Sequence, residues 1–321
     1  MNELPDEIQR KLAKAARLEW WSLGFLISII VVMYLVMGSS QAMKTAWIED
    51  TLSLIPPALF LITRRLETKA PTRHYPYGFH RVGSLGFFLS ATALSTMGAF
   101  LIYSSATALL LREPPTIGNT QIFGHDLWLG WLMIVALAYS VVPPVILGRK
   151  KLPLARQTMD KVLHTDAQMN AADWKTGLAG IAGIVGIGMG WWWADAAAAG
   201  FIAVDILRDG LRAMRISVSE LLDGAPRQLD SPDIHPLVDR IGRNLEQLGW
   251  GSGVKVRETG RYVRASLEPE TGRAISVDEA LKIGAENDAW RLIVVNRTVR
   301  MNSSAGSDGK DPPPGGPDQR K

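Results

Sequence analysis

The sequence predicts an all-α bundle of six membrane-spanning helices followed by a small cytoplasmic α+β domain. Three observations carry that prediction. The chain is 47% hydrophobic, yet its mean hydropathy is only +0.07, because long apolar runs crowd its first two thirds and the rest reads like a soluble protein. Six of those runs approach the roughly 20 apolar residues that a span requires, at about 19–38, 46–63, 83–111, 127–147, 167–190 and 191–207. Basic residues then alternate in side. The N-terminal segment carries Arg10, Lys11, Lys14 and Arg17, the 2–3 loop Arg64, Arg65, Lys69, Arg73 and Arg81, and the 4–5 loop Arg149, Lys150, Lys151, Arg156 and Lys161, whereas the opposite loops offer little beyond Lys44 and Arg112. The positive-inside rule therefore puts both termini in the cytoplasm and points to a multi-pass protein of the cell (inner) membrane.

The elements follow in order. Residues 1–18 form a cytoplasmic segment, amphipathic and mixed in charge over Pro5–Glu19, so the first run is not a cleaved signal peptide. Residues 19–208 form the transmembrane domain. Spans five and six abut, with Gly188, Gly190 and Trp191–Trp193 at the outer turn, an interfacial place that Trp favours. In span five Gly177, Gly180, Gly183 and Gly186 recur every third residue, which lets a neighbouring helix approach closely. Residues 209–229 form a connecting helix and linker, helical over Arg208–Asp223 and broken at Gly224-Ala225-Pro226.

The domain over 230–302 opens with a helix, Ile234–Leu248, by its apolar spacing. A hairpin joins Val254–Val256 to Tyr262–Leu267 through Glu258-Thr-Gly-Arg261. A second helix, Ser276–Ala285, has Ser276 as N-cap and Glu279 at capping-box spacing, and a last strand begins at Trp290. Residues 303–321, rich in Gly, Pro, Ser and charge, are expected to be disordered.

Several function classes drop out. The net charge of +4 and pI of about 9.3 follow from the cytoplasmic loops, and no stretch interleaves basic and aromatic residues like a nucleic-acid surface. No cysteine is present, which excludes disulfides and thiolate metal sites. No Gly-x-Ser-x-Gly or His-Glu-x-x-His pattern supports an enzyme.

What remains is acid inside apolar helices. Glu49 and Asp50 lie in the second run and Asp173 in the fifth. A carboxylate at a span centre costs roughly 3 kcal/mol or more unless a partner, a cavity or a cation balances it. Two acidic helices in one bundle suggest a path for positive charge.

The loop Tyr75-Pro-Tyr-Gly-Phe-His-Arg81 resembles the His-Pro-Tyr-Gly-His-Gly-Arg signature of the cation diffusion facilitators, six-span exchangers of metal cations for protons. Leu163-His-Thr-Asp-Ala-Gln-Met-Asn-Ala-Ala-Asp173 is similar to that family's span-five pattern, and Trp193-Ala-Asp195-Ala and Leu221-Leu-Asp-Gly-Ala-Pro226 fit its later motifs. The resemblance implies a homodimer in the lipid bilayer with a ferredoxin-like cytosolic domain, and divalent cations and protons as its partners. It also implies a four-ligand site, two residues four apart on span two and two on span five, since i and i+4 share one helix face.

Here those positions hold Glu49 and Ser53, then Met169 and Asp173. Asp50 is a substitute ligand or an interfacial charge. Ser53 is a ligand or bonds its own helix backbone. Met169 is a soft ligand or core filler. Asp166, one heptad before Asp173, and His164 are candidates for cation access from the cytoplasm.

The absence of imidazole argues against an ordinary zinc site and leaves manganese, iron, cobalt, nickel and zinc unresolved as the transported divalent cation. No resident cofactor is expected. Glu49 is the expected proton carrier, because burial and a neighbouring carboxylate both favour its protonated form. With two ligands altered, a transport-inactive membrane scaffold or metal sensor of the same fold is the alternative.

Overall fold

The computed structural model describes residues 4–36, 41–112, 119–122, 125–229, 231, 233–247, 251–269 and 290–297. It is mostly helical. Helix α1 (Asp6–Val36) runs unbroken from the N-terminal segment into the first apolar run. Helices α2 (Gln41–Leu52) and α3 (Ile55–Glu67) divide the second run. Helices α4 (Val82–Leu111), α5 (Leu129–Thr158), α6 (Lys161–Gly188) and α7 (Ala194–Leu221) complete the bundle. Of these, α1, α4 and α5 are long and apolar enough to cross a membrane by length and composition. Helices α6 and α7 have 28 residues each, about 42 Å of helix at 1.5 Å per residue, but carry ionisable residues such as Asp173, Lys175, Asp205 and Asp209.

The break between α2 and α3 has a covalent cause. Pro56 and Pro57 stand in the first turn of α3, where a missing N–H is tolerated, but they cannot donate to the carbonyls of Leu52 and Ser53. The expected second span is therefore two helices, not one.

Helix α4 lies along α7, α5 along α6, and α1 against α5. Glycine sets the closest of these contacts. A Cβ on Gly98 would lie 2.6 Å from the backbone nitrogen of Leu207, and one on Gly210 would lie 2.6 Å from that of Ser95, so α4 and α7 meet backbone to backbone. The glycine stripe of α6 works in the same way, since a Cβ on Gly177 would be 2.6 Å from Val141 of α5.

Apolar clusters fill the bundle. Ile29, Met33, Met133, Leu137 and Ile184 form one, and Leu12, Ala15, Phe60, Phe87, Leu154, Leu163 and Ile216 another. The amphipathic start of α1 thus packs back onto the bundle. The 4–5 connection is shorter than the basic loop expected there: only Met159 and Asp160 separate α5 from α6. Lys151 and Lys161, counted among that loop's charges, are helical and buried.

An antiparallel pair, β1 (Asn119–Ile122) and β2 (His125–Trp128), sits in the 3–4 connection, where no strand was expected.

The C-terminal part has α8 (Leu237–Gln247) on a three-stranded sheet of β3 (Gly251–Thr259), β4 (Tyr262–Pro269) and β5 (Leu292–Arg297). Strands β3 and β4 form the expected hairpin, and β4 pairs with β5 in parallel. Leu237, Ile241 and Leu245 of α8 pack on Val256, Val263, Leu267 and Leu292. The helix expected over Ser276–Ala285 and the tail from 303 lie outside the described residues.

Candidate functional site

The α2–α3 break and the middle of α6 meet. Ser53 Oγ donates a hydrogen bond of 2.7 Å to Asp173 Oδ1. Ser53 N also donates to Glu49 O at 2.9 Å, so these two residues share one helical turn and one face. Both are buried, Glu49 at 6% and Ser53 at 2% exposure. The negative charge of Asp50 also acts on Asp173. The structure thus brings Asp50, Ser53 and Asp173 into one neighbourhood, with Glu49 one helical turn before Ser53, and the Ser53 hydroxyl is directed across helices rather than onto its own backbone. Among the described residues, no three carboxylate or imidazole side chains close into a metal cage.

The other predicted residues fare differently. Met169 is buried in an apolar cluster with Leu94, Met97, Leu101, Ala172, Ala203 and Ile206. Asp166 is buried and ion-paired with Lys151 of α5, with Asn170 Nδ2 donating 3.2 Å to Oδ2. His164 is buried in α6. In the C-terminal domain, His235, not among the predicted residues, accepts at Nδ1 the backbone N–H of Leu237 at the start of α8 (3.1 Å).

Two buried charge clusters were missed by sequence reasoning. In the first, Lys151 Nζ donates 2.8 Å to Glu19 Oε2 and also pairs with Asp166. In the second, the β3–β4 turn docks beside the starts of α4 and α6 and the ends of α3 and α7. Lys161 Nζ donates to Glu220 Oε2 (2.8 Å) and Glu258 Oε2 (2.5 Å), and Arg291 Nη2 reaches Glu258 Oε1 (3.2 Å). Arg261 spans Glu67 and Asp160, both at 2.9 Å. Gly260, at φ +64°, donates its N–H to Ser84 Oγ and Glu220 Oε1, and a Cβ there would stand 2.6 Å from the His80 carbonyl oxygen. A cavity of about 20 Å³ among Thr63, Asp160, Glu220 and Arg261 has room for about one water molecule.

Burial opposes the Lys161 charge, but Glu258 and Glu220 outweigh it and hold its pKa above the ordinary lysine value. Burial raises Glu258 despite Lys161. The sequence signal for this cluster was weak: each charge sits near a helix end or turn, where solvent is the default expectation.

With this geometry in place, the comparisons are direct. A family model described as the cation efflux transmembrane domain matches residues 20–222. The chain is 25% identical over 265 residues to a cadmium, cobalt and zinc/H(+)-K(+) antiporter of Bacillus velezensis, covering 80% of this chain and 77% of that protein. It is 22% identical over 273 residues to the manganese efflux system protein MneS of Bacillus subtilis, covering 82% and 88%. It is also 22% identical over 284 residues to metal tolerance protein 10 of Arabidopsis thaliana, covering 87% and 62%. The match across the helical bundle shows that the chain belongs to the cation efflux (cation diffusion facilitator) family, multi-pass membrane transporters of metal cations and not enzymes.

Proposed function

We propose that the chain exports a divalent cation in exchange for protons, by alternating access around Glu49 and Asp173 with Asp50 and Ser53 in support. The Ser53–Asp173 hydrogen bond carries this reading, because it joins the acidic stretch of the second run to that of the fifth. The bundle is proposed to comprise six spans, with the α2–α3 pair counted as the second, both termini cytoplasmic, in the cell membrane and as a homodimer.

The donor set is oxygen. Carboxylates and a hydroxyl suit manganese or ferrous iron better than softer ions. The prolines after the break add to it, since the Leu52 and Ser53 carbonyls have lost their helical donors. Unwound carbonyls of this kind are where broken helices hold cations in transporters.

A cation must displace protons from the carboxylates, so binding releases protons and weakens as pH falls. Glu49 is the proposed proton carrier. Cations are proposed to arrive past His164, with Asp166, held by Lys151, contributing charge rather than a free ligand.

Uptake of manganese into vesicles carrying the purified protein, under an imposed pH gradient, is the test. Wild-type flux should follow the gradient and vanish in Glu49→Gln and Asp173→Asn. Equal flux in all three proteins ends the mechanism.

A further inference from the structure

We infer that the Glu19–Lys151–Asp166 cluster is a second proton-binding site, on the cytoplasmic side of the transport site, with the proton resident on Glu19. Its consequence for coupling rests on the exchange mechanism proposed above; the site itself does not. The cluster joins three helices. Glu19 of α1 is 0% exposed, Lys151 of α5 is 0% and Asp166 of α6 is 1%.

Two carboxylates facing one ammonium leave a net charge of −1 where water does not reach. An uncompensated buried charge costs several kcal/mol, so such a group is neutralised or finds a counter-ion. Among the described residues, the charges that act on Glu19 are those of Lys151 and Asp166. Lys14, Arg17, Arg149 and Lys150, on the same helices, are exposed. Arg64 of α3 faces Asp160 and Arg261, and Glu67 is bonded to Arg261.

Hydrogen bonding places the proton. Asp166 Oδ2 accepts from both Lys151 and Asn170, which favours its ionised form. Glu19 accepts from Lys151 at Oε2 only. Its Oε1 is buried without a hydrogen-bond partner among the described residues, and so is Ser22 Oγ one turn along α1. The Glu19 carboxyl also lies within hydrogen-bonding reach of the Asp166 carboxylate, so a protonated Glu19 can donate to Asp166 and leaves Lys151⁺ and Asp166⁻ as a neutral pair.

The position suits exchange in both directions. Trp20 and Trp21, beside Glu19, are exposed, and Trp marks the membrane–water boundary. On α6, Asp166, Asn170 and Asp173 fall at i, i+4 and i+7 on one face, about 10 Å from end to end. The charges of Asp166 and Lys151 both act on Asp173, so loss of the Glu19 proton adds a negative charge within reach of the transport site.

Infrared difference spectroscopy on the purified, metal-free protein at neutral pH tests the assignment, because a protonated carboxyl has a C=O stretch distinct from that of a carboxylate. The expected result is a carboxyl band in the wild type that disappears in Glu19→Gln. It should also disappear in Asp166→Asn, where the one remaining carboxylate matches Lys151 and stays ionised. Should Glu19→Gln fail to fold, Asp166→Asn alone decides.

A spectrum unchanged in either folded variant overturns the proposal. So does a wild type in which an alkali cation, found bound to the metal-free protein, is released by Glu19→Gln with no change in the carboxyl region. Neither readout involves metal transport, so failure of the exchange mechanism is detected separately.

Discussion

The middle and the start of α6 hold their acids in opposite ways. At its middle, Asp173 is met by a hydroxyl, Ser53 Oγ, across the α2–α3 break. Near its start, Lys151 sits between Glu19 and Asp166, and Lys161 between Glu220 and Glu258. A carboxylate bonded to a neutral donor keeps its charge available for a cation. One bonded to an ammonium has spent it on holding helices together. The contrast separates the proposed cargo site from the ammonium-bridged clusters along a single helix.

The sharpest way to break that contrast is to neutralise each in turn. Asp173→Asn should abolish efflux while leaving thermal unfolding near wild type. Lys161→Met should do the reverse to stability. Removing one partner from a buried charge cluster costs about 3–5 kcal/mol, read as a lowered unfolding midpoint in detergent. Arg212→Ala, which loses only an exposed pair with Asp209, should cost less than about 1 kcal/mol.

The same lysine predicts a pH window. Its pKa is raised in the folded protein, so its stabilisation is full below the ordinary value of 10.5 and is lost as pH rises through the higher folded value. Unfolding midpoints measured across alkaline pH should show that loss in the wild type and not in Lys161→Met.

Smaller effects sharpen the picture. Pro56→Ala with Pro57→Ala restores two N–H donors to the break. The preference for manganese over zinc should then fall about tenfold, or roughly 1.4 kcal/mol, in competition uptake. Ser53→Ala removes a hydrogen bond to a charged group, of order 1.5 kcal/mol at the low end, and should weaken apparent manganese affinity in the same assay. Met169→Leu, a volume-conserving exchange inside an apolar cluster, should cost less than about 1.5 kcal/mol and leave cation preference unchanged.

The legible parts of the molecule were those written in apolar period and turn chemistry. The runs that became α1, α4 and α5 needed only length and hydropathy. The α6–α7 turn was marked by Gly190, which takes φ +90°, and the β3–β4 turn by Gly260. Glu49 and Asp173 stood out as acids inside apolar runs, and Ser53 entered through the family resemblance.

The charge clusters were not legible, because sequence places Lys151 and Lys161 beside other basic residues at the end of a span, where solvent exposure is the ordinary outcome. Only the two-residue connection, Met159–Asp160, draws them into the protein. The splitting of the second run follows from Pro56-Pro57, which leave two helices with Ser53 at the break.

Equilibrium binding of manganese to the purified protein, with proton release recorded in the same titration, tests the central claim most directly. The account predicts saturable binding that expels protons and is lost in Asp173→Asn. Saturable binding that survives unchanged in that variant would contradict it.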